Sequence, residues 1–190
     1  NYVLVVIDDN GCEFTSPIYT IENLNTPIIV LNETVSDYNN FEISCNNSTD
    51  GFVHVDLTGG SGTFTYTFES GGSFYTDSDL STPNFLEFDN LPAGDYTLTI
   101  TDANCPYDII RNFTLTEPTV LSGLATLTSD PIDCFGETET YDITASGGVP
   151  PYTGTGSYTF AAGTNSVIIT DANGCSTTVQ VTVVEPPVLS

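Results

Sequence analysis

The chain has 190 residues and sets 25 acidic side chains against a single Arg and no Lys, for a formal charge of -24. Nucleic acid and anionic membrane surfaces are held by clustered basic side chains, so both are excluded as partners. With 39% hydrophobic and 11% aromatic residues, the chain still has the apolar material to build cores.

No apolar run approaches the roughly 20 residues of a spanning helix, and no basic-then-apolar leader opens the sequence, so membrane insertion is not expected. The sequence lacks Met and starts inside a strand pattern, Asn1 to Ile7, which reads as an excerpt of a longer polypeptide. That strand runs into the turn Asp8-Asp9-Asn10-Gly11 and then Cys12. The same strand, turn and Cys recur at Asp95–Cys105 and at Thr164–Cys175, preceded at equal offsets by Ala93-Gly94 and Ala162-Gly163. Cys45 and Cys134 each lead into an alternating strand that ends at Gly59-Gly60 or Gly147-Gly148. Thr26-Pro27, Glu117-Pro118 and Glu185-Pro186-Pro187 mark joints, because Pro cannot donate to a central ladder.

Joint to joint, residues 1–27 are the closing strands of one repeat, and 28–118 are a full repeat with an insertion near 71–89. Residues 119–186 are a shorter full repeat, and 187–190 begin the next. Two strands alone are marginal in water, so residues 1–27 are expected to need an upstream partner or to fray.

Alternation with period two dominates, as in Val53, Val55 and Leu57 against Phe52, His54 and Asp56. Nothing reads as a helix of ordinary length. The expected architecture is all-β: tandem immunoglobulin-like antiparallel β-sandwich repeats, with Asn-Gly hairpins joining the last two strands. Gly94-Asp95-Tyr96 resembles a tyrosine corner, which the last repeat lacks.

Five Cys at recurrent positions suggest disulfides made in an oxidising compartment. Pairing within repeats, Cys45 with Cys105 and Cys134 with Cys175, is favoured slightly, and Cys45 with Cys175 across the joint is its competitor. Free, buried thiols are the third reading. Cys12 is expected to have its partner upstream. Without Lys, no intramolecular isopeptide bond can form, which leaves disulfides as the covalent staple.

No catalytic residue is expected. His54, the one His, sits on the outer side of its strand without a Ser or Asp partner implied by spacing. The carboxylate pairs, Asp77 with Asp79 and Glu87 with Asp89 among them, read as solvated turns. No cofactor is expected either, although calcium at Asp8, Asp9 or Asp171 is chemically reasonable for so acidic a surface. These turns fall short of a full calcium loop, and their bland reading as hairpins is preferred. Phe74, Tyr75 and Phe85 in the insertion could stack on sugar rings.

Cys then Gly-Gly, Pro150-Pro151-Tyr152, Leu91-Pro92-Ala93-Gly94-Asp95-Tyr96, Thr-Asp-Ala-Asn-Gly-Cys and the closing Glu-Pro together resemble SprB-type repeats. These stand in tandem in very large cell-surface adhesins of gliding Flavobacteria and relatives in the Bacteroidota. The resemblance covers essentially the whole chain. It implies a parent exported by type IX secretion and displayed at the cell surface as an outer membrane-attached extracellular filament. The gliding machinery, neighbouring repeats, and polysaccharide or abiotic surfaces would be its partners. On this basis the expected function is a structural and adhesive stalk segment. The alternative is a carbohydrate-binding module of a secreted surface protein or polysaccharide-degrading enzyme. The middle repeat departs from the pattern at Asn104-Cys105, which lacks the Gly, and the last repeat lacks both Leu-Pro and Asp-Tyr.

Overall fold

The computed structural model describes residues 2–19, 27–60, 64–75, 84–102 and 108–188. Among them the chain is all β: strands β1 to β14, paired antiparallel, with no helix. β1 (Val5–Ile7) and β2 (Glu13–Thr15) form a hairpin through the Asp8 turn. Side chains of both strands are exposed, so this hairpin has apolar residues facing outward on either side.

β3 (Ile29–Val35), β4 (Gly51–Thr58), β5 (Phe64–Ser70), β6 (Ser73–Tyr75), β7 (Phe85–Leu91), β8 (Gly94–Asp102) and β9 (Ile109–Leu115) follow. They divide into a three-stranded sheet, β3-β4-β7, and a four-stranded sheet, β6-β5-β8-β9. Strict alternation puts Val53, Val55 and Leu57 of β4 inward, as the sequence requires, and Phe52, His54 and Asp56 on the other face. Across from them stand Phe68 of β5 and Tyr96, Leu98 and Ile100 of β8, so both sheets share one core. Phe68 stacks on Phe88 of β7 at 4.0 Å between ring centroids and on Tyr96 at 5.2 Å. All three rings are buried, and each contributes on the order of 1.5–3 kcal/mol by leaving water. Arg111 on β9 clasps Glu33 on β3, Nε to Oε1 at 2.7 Å, which ties the edge strand of one sheet to the edge strand of the other.

A second, smaller core follows. β10 (Ser122–Leu127), β11 (Thr138–Ser146) and β12 (Gly156–Ala161) form one sheet, and β13 (Gly163–Thr170) and β14 (Ser176–Val183) form another. Ile143, Val167, Ile169, Val179, Val181 and Val183 fill the space between them, flanked by the half-buried Tyr141, Tyr158 and Phe160. Where the chain enters this unit, Gly147 has φ of 71°, and a Cβ there would lie 2.0 Å from the Val120 carbonyl oxygen. Only Gly fits so close an approach of two backbones.

Tyr96 is buried, and its hydroxyl donates to the Pro92 carbonyl at 2.7 Å, four residues upstream. At the corresponding place in the second core Asn165 replaces the Tyr, and its amide donates to the Ala161 carbonyl at 3.1 Å. The bond survives the loss of the phenol.

Candidate functional site

Around Cys45 and Cys175 the two units meet, and the site can be built from two turns. The first joins β13 to β14. Asp171 is buried, and its Oδ1 accepts from the backbone N–H of Asn173 and of Cys175, both at 2.9 Å. Its Oδ2 accepts from Val149 N–H at 2.9 Å. A carboxylate that accepts three backbone N–H groups fixes the turn, and Gly174 at φ of 86° closes it. The side chain of Asn173 is thereby projected from the end of the hairpin.

The second turn is the segment from Ser36 to Cys45. Ser36 is buried, with its hydroxyl donating to the Glu42 carbonyl at 2.7 Å and accepting from Phe52 N–H at 3.0 Å. Tyr38 N–H donates to the Phe41 carbonyl at 2.6 Å, and Asn39 and Asn40, with φ of 55° and 71°, turn the chain between them. Ser44 is held by both oxygens of Asp50, and Ile43 plugs into the first core. Glu42 Oε2 takes the N–H and hydroxyl of Thr116 at 2.8 and 2.6 Å. Its partial burial pushes the carboxyl upward, but the Thr116 hydroxyl and N–H outweigh this and hold it below the usual carboxylate value.

Asn173 enters this second turn. Its amide donates to the carbonyls of Tyr38 at 3.1 Å and Ser44 at 2.9 Å, while Asn39 donates back to its oxygen. Beside it Cys45 and Cys175 are bonded, with a Cα separation of 5.8 Å, inside the range a disulfide needs. A second strut lies at the joint itself. The Glu117 carboxylate accepts from Asn46 Nδ2 at 3.0 Å and from Asn47 N–H at 2.5 Å, and Asn46 also donates to the Pro118 carbonyl at 3.1 Å. An open groove lined by Val120, Leu121, Ser176 and Thr177 runs past the bridge.

Pairing within repeats is therefore corrected: Cys45 bonds Cys175, and Cys134 and Cys12 are free and exposed. The physical reason is the turn after β3, which lies at the end of the first unit where the β13–β14 turn of the second arrives. Cys105 lies outside the described residues.

Other expected residues are placed as follows. Asp8 Oδ1 accepts from Asn10 and Cys12 N–H at 2.9 and 2.8 Å, the same turn as at Asp171. Its oxygen, like those of Asp171, thus faces N–H donors, which is the wrong polarity of neighbour for calcium. Among the described residues no three His, Cys, Asp or Glu side chains are grouped to hold a metal ion, Asp9 included. Phe74, Tyr75 and Phe85 form no common platform. Phe74 is exposed, Tyr75 turns inward against Phe68 and Tyr96, and Phe85 belongs to the opposite sheet, edge-on to His54 at 5.7 Å. Residues 76–83 of the insertion, with Asp77 and Asp79, lie outside the described residues. His54 finds a partner that spacing did not imply, Asp89 Oδ1 at 3.0 Å, and stacks on Phe52 at 4.4 Å.

Sequence reasoning placed Glu117-Pro118 at a joint but missed Asn173 and Ser44, and did not foresee the bonds of Glu117 to Asn46 and Asn47. The recurrence of Glu-Pro beside recurrent Cys was the available signal. Comparison with known proteins finds no matching family model and no matching curated protein.

Proposed function

We propose that the chain is a load-bearing spacer, two immunoglobulin-like sandwiches and the closing hairpin of a third, in an adhesin filament built of SprB-type repeats. The observation that carries this reading is the covalent joint: Cys45 and Cys175 bond one unit to the next, and Asn173 locks into the carbonyls beside them. A linker meant to let two domains move freely has no use for such a clamp, whereas a stalk under tension does. The strand orders β3-β4-β7 and β6-β5-β8-β9 suit the sandwich class, and the disulfide suits an exported protein. On the resemblance, type IX secretion delivers the parent to the cell surface, where it serves attachment and gliding. Work is mechanical, and no chemistry is assigned to His54 or to the paired carboxylates.

The test uses the oxidised chain. Small-angle scattering should give a stiff, elongated particle that becomes flexible on reduction, and a glycan array should show no binding at millimolar sugar. A specific glycan signal abolished by Phe74→Ala would replace the spacer reading with carbohydrate recognition.

A further inference from the structure

The sequence has two Asn-Gly bonds, Asn10–Gly11 and Asn173–Gly174, and each closes an Asp-x-Asn-Gly turn. Asn before Gly is the dipeptide most open to spontaneous deamidation, because Gly has no Cβ to shield its backbone nitrogen from the Asn side-chain carbonyl carbon. The residue pair that suits a hairpin thus carries a chemical weakness. In one of the two turns that weakness lies in the joint.

Asn173 is half-buried and is the side chain by which the second unit reaches into the first. Its Nδ2 donates to the carbonyls of Tyr38 and Ser44, at 3.1 and 2.9 Å, and its Oδ1 accepts from Asn39 Nδ2. These partners suit an amide. A carboxylate has no N–H to give and sets an anion against two carbonyl oxygens. The Gly174 nitrogen that attacks in deamidation donates to the Asp171 carbonyl at 3.2 Å, but Gly174 is exposed, so base and water reach it. Ring closure draws Asn173 Cγ onto that nitrogen and takes the amide away from its three partners across the joint. The Cys45–Cys175 bridge, two residues on, opposes that departure by keeping the turns together.

We infer that Asn173–Gly174 is a modification site gated by the joint: deamidation is suppressed while the two turns are docked, proceeds once they part, and leaves a product that does not dock again. The inference goes beyond the spacer reading and uses only the geometry of the joint.

The step consumes water and releases ammonia. Hydroxide takes the Gly174 N–H proton, and the nitrogen attacks Asn173 Cγ to form a new C–N bond. The side-chain nitrogen takes a proton from water, which restores the hydroxide, and leaves as ammonia. Water then opens the five-membered imide. Breaking its Cγ–N bond gives Asp, and breaking the bond from the main-chain carbonyl carbon to nitrogen gives isoAsp. No electrons are exchanged. Both products lose the two N–H donors and gain an anion. IsoAsp also lengthens the backbone by one atom, inside a turn whose Asp171 Oδ1 must reach the N–H of Asn173 and of Cys175. Time spent open therefore makes opening irreversible.

The experiment ages the full bridged chain and its Cys45→Ser variant side by side in warm, mildly alkaline buffer. Samples are quenched in acid, digested with pepsin and read by mass spectrometry for the amide-to-acid change at each Asn. IsoAsp is counted by enzymatic methylation. Asn10, exposed in the same kind of turn, is the internal reference. In the bridged chain Asn173 should deamidate at least about tenfold more slowly than Asn10, since three hydrogen bonds must open first. Cys45→Ser should raise the Asn173 rate at least about fivefold, because the turns lose their tether, and leave Asn10 unchanged. Chain aged in reductant and returned to a glutathione redox buffer should re-form Cys45–Cys175 only in the fraction whose Asn173 is intact. Equal rates at Asn10 and Asn173 in the bridged chain, no rise at Asn173 in Cys45→Ser, or equal bridging of deamidated and intact chain each overturns the proposal. None of these outcomes touches the spacer reading, whose scattering and glycan tests report shape and binding rather than amide content.

Discussion

Pulling the chain by its two ends offers a direct check of what the bridge does. The disulfide closes a loop with a sequence separation of 130. An extended chain spans at most about 3.5 Å per residue, so roughly 450 Å of contour is locked away while the bridge holds. Only the segments before Cys45 and after Cys175 can extend, about 60 residues or about 210 Å, against about 660 Å for the reduced chain. The load reaches the β1–β2 hairpin, then β3, from one end and β14 from the other, because all four strands lie outside the closed loop. Peeling β14 strips Val179, Val181 and Val183 from the second core, but the load cannot unravel either unit to full length.

Tweezers with handles at the termini should record a stop near 210 Å for oxidised protein, and a further roughly 450 Å on adding reductant under load. Cys45→Ser should show the long trace without reductant. Traces of equal length for oxidised and reduced chain would falsify the assignment of the bridge, and with it the claim that the bridge keeps either unit from unravelling to full length.

Asn173→Ala removes three hydrogen bonds from the joint, two donated and one accepted from Asn39, and should lower the equilibrium constant for closing the Cys45–Cys175 bridge at least tenfold, from about 1.5 kcal/mol or more of lost hydrogen bonding, as read by titration against glutathione. Phe68→Ala opens a cavity where three rings stack and should cost about 3–5 kcal/mol in urea unfolding, confined to the first unit. Glu42 and Tyr96 set opposite pH limits on the same unit. The Glu42 carboxyl is held low, so its contribution is complete above its unfolded value and lost as pH falls through its folded one. Glu42→Gln should flatten the acid limb of a stability–pH curve. Burial, with the Tyr75 hydroxyl beside it, pushes the Tyr96 phenol up; that contribution is complete below about pH 10 and lost on further alkalinisation, a limb that Tyr96→Phe should remove.

Much of the fold was legible because alternation is a local property. Val53, Val55 and Leu57 announce which face of β4 is buried, and Asp-x-Asn-Gly-Cys announces a hairpin wherever it stands. What escaped the sequence depends on how distant segments arrive at one place. The partner of Cys45 is decided by the approach of the β13–β14 turn to the Tyr38–Ser44 backbone, and no local pattern encodes that approach. Phe85 looked like a neighbour of Phe74 and Tyr75 because all three lie in one insertion, but pairing with β4 takes it to the other sheet. The corner bond of the second unit was invisible for another reason. Asn165 performs with an amide what Tyr96 performs with a phenol, and residue identity hides equivalence of bonding.

The charge balance explains why these particular turns recur together. A chain with one Arg can make the Arg111–Glu33 clasp once, and its carboxylates must otherwise be satisfied by neutral donors. Backbone N–H groups are densest, and least occupied by sheet ladders, in tight turns, where a carboxylate collects two or three at once. Asp8 and Asp171 do so in the hairpin turns and Glu137 does so at Cys134, while Glu117 and Glu185 each take one backbone N–H beside Cys45 and Cys134, Glu117 adding the Asn46 amide. The acidic residues therefore hold both halves of the joint in shape, and their excess charge keeps exposed strand edges of neighbouring chains apart. Where the two turns meet, the Cys45–Cys175 disulfide adds a covalent tie to this set of carboxylate–N–H bonds, so the units stay joined even when the hydrogen bonds around the bridge open.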